Sequence, residues 1–172
     1  STVAFAAAVP AVRLHLQAGS FDPVVDRAPV LPNEDRLPAA ASQLGLGNTR
    51  YLLVQFSEPV RRDWQTAITE TGAKVVGYVP DFALIVRATA AQESAVEGLP
   101  SIHWTGALKP SWRVEPGILG RLRSPAATGV RWTVVVHDGE EAADVAATVH
   151  RRLPAVRIFR EAKGKFSVAA SP

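Results

Sequence analysis

The chain has 172 residues, of which 47% are hydrophobic and 20% charged, and it contains no cysteine. That is enough apolar material for packed cores, while disulfides and thiolate metal sites are excluded. No apolar run reaches the ~18 to 20 residues that a membrane-spanning helix needs, and the formal charge of +3 comes from residues 113–172, where ten basic face six acidic side chains, read here as a solvated face.

Residues 1–49 hold five of the 13 prolines and close on Gly45, Gly47 and Asn48, which predicts an extended leader with at most one short strand over 12–17. Within its opening, Ala4, Phe5 and Ala6 fit the small-x-small pattern of a secretory cleavage site. Tyr51 to Phe56 is apolar on both faces, as a central strand requires. Pro59 suits a first helical turn capped by Ser57 or Glu58, Val60, Trp64, Ala67 and Ile68 form one stripe, and Gly72 supplies a stop. Two strands follow, Lys74 to Val79 and Phe82 to Ala88, joined at Pro80 and Asp81. Thr89 and Gln92 make a capping box for a helix ending near Gly98, and Ile102 to Thr105 is a fourth strand.

A connector rich in proline and glycine covers 113–129, with a helical turn expected over 118–123. The opening theme then returns about 80 residues on: a strand from Val130 to His137, Asp138 as N-cap with Glu141, a stripe through Ala142, Val145, Ala146, Val149 and Leu153, then strands Val156 to Glu161 and Phe166 to Ala170. The expected architecture is α+β. It comprises tandem ferredoxin-like units with antiparallel sheets and helices on one face, a βαββαβ unit over 50–112 and an incomplete βαββ unit over 130–172. The missing quarter leaves an apolar face and an unpaired edge unless something covers them.

The four histidines, His15, His103, His137 and His150, are not spaced as ligand or catalytic pairs, and no nucleophile elbow or phosphate-binding glycine loop occurs. The residues therefore point away from an enzyme, with no cofactor and no metal. The stretch from Lys163 to Val168 echoes an RNA-binding phrase but places Lys165 and Ser167 where aromatics belong, so nucleic acid is not the expected partner. Trp64, Trp104 and Trp132 sit on a helix stripe or in strands and read as core, whereas Trp112 lies between prolines in the connector and is the tryptophan expected to bind a partner protein.

Arg13 to Pro23, Tyr51 to Phe56, Trp64, Gly72 and Ala73, Gly77 to Asp81, Ala83 to Arg87, and Trp104 to Gly106 resemble the N-terminal prodomain region of bacterial subtilisin-like serine proteases. The likeness covers about residues 13–110, and none of its motifs is catalytic. It implies an exported precursor, secreted or in the cell envelope, whose propeptide assists folding of the protease catalytic domain and then inhibits it, in cis or in trans. It also implies a sheet face packed on the protease and an extended tail, here Ala169, Ala170, Ser171 and Pro172, lying in the substrate cleft by strand addition. A standalone interaction or adaptor module of the same fold is the alternative.

Overall fold

The computed structural model describes residues 12–26, 48–115, 117–118, 130–160 and 164–170. It is an α+β structure with antiparallel sheets. In chain order the elements are β1 (Leu14–Leu16), β2 (Gly19–Phe21), β3 (Thr49–Phe56), α1 (Arg62–Glu70), β4 (Lys74–Val79), β5 (Ala83–Thr89), α2 (Ala90–Glu97), β6 (Ile102–Ala107), a 3-10 turn (Pro110–Arg113), β7 (Arg131–Val135), α3 (Ala142–Arg152), β8 (Val156–Arg160) and β9 (Lys165–Ala170). The strands form a hairpin, β1-β2, a four-stranded sheet in the order β4-β5-β3-β6, and a three-stranded sheet in the order β7-β9-β8.

The unbroken apolar run of β3 is explained by its place between β5 and β6. Leu52, Val54 and Phe56 face a core closed by Ile68 of α1 and Val96 of α2, and Leu53 faces a second core on the opposite side. These β3 side chains are fully buried, each stabilising the fold by about 1.5–3 kcal/mol. Val60 and Trp64 pack on the first core as the stripe predicts, and the Trp64 indole stacks on Phe56 at 5.2 Å. The helix itself starts later than expected. Its N-cap is Arg61, without a side-chain capping bond, because a guanidinium has no acceptor to offer a helix N–H; it donates to the Asp63 carboxylate and lies over the Trp64 ring instead. Ser57, Glu58 and Pro59 precede the helix as a bend.

Residues 12–26 differ most from the reading of an extended leader. They fold back as a hairpin, β1-β2, with Leu14 and Phe21 buried against Leu53, Val79, Ala83, Leu108 and Trp112. The hairpin thus covers the face of the four-stranded sheet that the helices leave open. Its tip is tied down where the His15 imidazole meets the Asp81 carboxylate in the β4-β5 turn. Asp81 and Phe82 both take positive φ, at 66° and 67°, which tightens that turn. Below the hairpin, Gln55 is fully buried and its Nε2 donates to the Val12 carbonyl at 3.0 Å.

In the second unit, β7 pairs with β9 from Arg131↔Ala169 to Val135↔Lys165, and β8 pairs with the other side of β9. The strand order β8-β9-β7 repeats β4-β5-β3 of the first sheet. Helix α3 lies mainly against β8 and β9. Asp138 does not cap it: the N-cap is Glu141, with no side-chain bond, and the helix begins at Ala142. Most of the helical turn expected over 118–123 falls outside the described residues.

Candidate protein-binding surface

The two units meet at a polar joint. Glu140, in the turn before α3, has a side chain only 6% exposed and forms an ion pair with Arg87 of β5. The Tyr51 hydroxyl donates to the same carboxylate oxygen at 3.1 Å. The Tyr51 and His137 rings lie 4.7 Å apart and tilted by 33°. Burial raises the Tyr51 hydroxyl above its ordinary pKa, against the opposing pull of Arg87 and Arg113. Burial also lowers the His137 imidazole, helped by the nearby Arg113 and opposed by Asp138. The phenol is therefore a poor nucleophile, the carboxylate is engaged by two donors, and the imidazole is stacked. This joint ties β3 and β5 to the turn before α3.

The described surface also carries grooves. One, of ≈ 470 Å³, lies between the α1-β4 turn at Gly72–Lys74 and the loop residues Asp138 and Gly139. The other, of ≈ 540 Å³, runs between α3 and β8 and is lined by Ala146, His150, Pro154, Val156 and Ile158. Among the described residues, no group of three or more His, Cys, Asp or Glu side chains is placed to hold a metal ion, and no helix is long and apolar enough to cross a membrane.

The residues expected to bind a partner are placed differently from the reading of the sequence. Trp112 is buried at 8% exposure with its indole 5.4 Å from the Phe21 ring, and Lys109 lies over its other side. It closes the second core: an indole between prolines is covered by a hairpin that sequence reasoning left extended. Ala169 is no free tail either. It is paired with Arg131 on one side and Arg157 on the other, and Ala170 pairs with Val156, so both belong to the central strand of a sheet. Ser171 and Pro172 lie outside the described residues.

What the structure does expose was not singled out from the sequence. Tyr78 on the edge strand β4 is 62% exposed, and Val135 at the end of β7 is 76% exposed. Helix α3 buries none of its residues, whereas α1 buries Ile68 and α2 buries Val96. Among the described residues, β7 pairs with β9 alone. Phe166, the one aromatic of the Lys163–Val168 phrase, is 2% exposed and offers no platform for a base.

Residues 15–109 match the model of a family described as a domain of unknown function, DUF8729. No curated protein matches the chain. No solved structure matches it.

Proposed function

We propose that this chain, which belongs to the DUF8729 family, is a non-enzymatic protein-binding region: the propeptide of a subtilisin-like serine protease, assisting its folding and inhibiting it by surface contact. The observation that carries this reading is the sheet order β4-β5-β3-β6 with both helices on one core and a separate core on the other face. We read that order as ferredoxin-like, and the second sheet as the start of another such unit, which is the tandem arrangement expected from the repeat in the sequence. The resembling residues hold this frame: Gly72 ends α1, Pro80 and Asp81 form the β4-β5 turn, and Trp104 and Gly106 lie together in β6.

The route of contact differs from the one the resemblance implies. The open sheet face is filled by β1-β2 and Trp112, and the Ala169–Ala170 segment is inside a sheet. Contact therefore falls to the sheet rims, where Tyr78 on β4 is the exposed aromatic anchor. Mixing the chain with a subtilisin-like catalytic domain should slow peptide hydrolysis in proportion to chain concentration, and Tyr78→Asp should weaken that inhibition about tenfold. Unchanged hydrolysis at micromolar chain, together with unchanged refolding yield of the catalytic domain, would overturn the reading.

The occupied sheet face favours a second reading, a standalone interaction module for a partner unrelated to proteolysis. The downstream frame separates the two, since Asp-, His- and Ser-centred protease motifs support the first and their absence from the gene supports the second.

A further inference from the structure

We propose that the β1-β2 hairpin is a latched strap: it lifts from the four-stranded sheet as one unit while the rest of the fold stays closed, and so uncovers the apolar face formed by Leu53, Trp104, Leu108 and Trp112. The proposal concerns an opening of the chain itself and does not rest on the protease reading above.

The strap carries its own backbone pairing. Among the described residues, β1 and β2 form a sheet by themselves, from Leu14↔Phe21 to Leu16↔Gly19, and no strand ladder joins them to β4-β5-β3-β6. Arg13 is engaged inside the same segment, donating to the Ser20 carbonyl at 3.1 Å and pairing with Asp26 at 3.2 Å. The hairpin therefore keeps its internal bonds when it leaves the sheet. What lifting forfeits is the burial of Leu14 and Phe21 and the polar ties to Asp81 and Gln55. A segment held by so few buried side chains belongs to the part of a fold that opens first.

Each polar tie is weak or offset. The His15 and Asp81 side chains are both about half exposed, so water competes for their pairing. Gln55 gives one bond and loses another: its Nε2 reaches the Val12 carbonyl, but its Oε1 is buried without a hydrogen-bond partner. That acceptor regains a partner from water when the strap lifts, which lowers the cost of opening. A face built for permanent cover would carry an apolar side chain at position 55, as Leu53 does two residues earlier on the same face; glutamine suits a face that is covered and wetted in turn. The latch also grips a costly turn, because Asp81 and Phe82 both hold positive φ, a region that residues other than glycine seldom occupy.

The test is hydrogen exchange on the isotope-labelled full chain. We expect the bonded amides of β1 and β2 and the Gln55 Nε2 protons to exchange together, with one shared protection at least about tenfold below that of the β3 amides. His15→Ala should lower that shared protection about three- to fivefold and leave β3 unchanged. Joining His15→Cys to Asp81→Cys with a short bismaleimide, specific because the chain has no cysteine of its own, should raise it at least about tenfold over the unlinked double variant. Equal protection of the hairpin and β3 amides would overturn the proposal, since the strap would then open only with the whole fold. Gln55 side-chain protons that stay protected while the hairpin amides exchange would overturn it too, as would a cross-link that leaves hairpin exchange unchanged.

Discussion

At Gly106 a single missing methyl group decides where an indole lies. A Cβ built there would come within 2.4 Å of Cη2 and Cζ2 of Trp104, two residues earlier on the same strand. The indole thus lies over the bare glycine backbone and joins the second core beside Leu53. Gly106→Ala should displace it and cost about 1–3 kcal/mol by overpacking, read as a lower urea midpoint with increased solvent quenching of Trp104 fluorescence. An unchanged midpoint would mean that the ring does not rest there. Gly72 is constrained twice over, by its φ of +83° and by Gln92 Nε2 at 2.8 Å from where a Cβ would stand. Both glycines were visible in the sequence as motif letters, but their physical reason is long-range at Gly72 and rotameric at Gly106, so spacing alone did not reveal it.

Among the elements, those set by local chemistry were the legible ones. The Thr89 and Gln92 capping box forms as read: Thr89 N–H donates to the Gln92 side chain at 2.8 Å, and the Thr89 hydroxyl accepts from the Gln92 N–H at 3.4 Å. Gln92 also donates from Nε2 to the Gly72 carbonyl at 3.0 Å, tying the start of α2 to the end of α1. Thr89→Ala should therefore cost about 1 kcal/mol, and Gln92→Ala about 1–2 kcal/mol because it loses the cross-link as well. Equal losses in chemical denaturation would count against the cross-link. The start of α3 was misread for a tertiary reason. Glu140 is held by Arg87 and Tyr51, so the turn through Gly139, at φ +80°, follows that anchor and Asp138 is carried away from the capping position. The β1-β2 hairpin was legible only in its first half: Leu14 and Leu16 alternate within the short strand expected over 12–17, whereas Gly19–Phe21 has one apolar side chain and no alternation to mark a second strand.

For the whole molecule, the joint between units makes stability depend on pH. His137 in the folded state titrates below its ordinary value, so over the interval between the two values the unfolded chain binds a proton that the folded chain does not. Stability is then complete above about pH 6.5, the ordinary value, and declines as pH falls through the folded pKa. His137→Phe keeps a ring against Tyr51 and should flatten the dependence between about pH 5 and 7. Thermal melts of the two forms at both ends of that range check it, and parallel curves would exclude His137 as the source. None of this was legible beforehand, because the ring that His137 lies against, Tyr51, is more than eighty residues earlier in the chain.

The place of β9 has a temporal consequence. It lies between β7 and β8, which share no backbone pairing of their own, just as β5 lies between β3 and β4. During synthesis, neither sheet can close until the later strand emerges and threads between two that are already made, so each earlier strand waits with one or both ladders unfilled. The β8-β9 and β4-β5 pairings are local hairpins, whereas β7-β9 and β3-β5 span the intervening helix and are the slower to form. The ribosome therefore delivers an interval in which β7 has emerged and the strand that pairs with it has not.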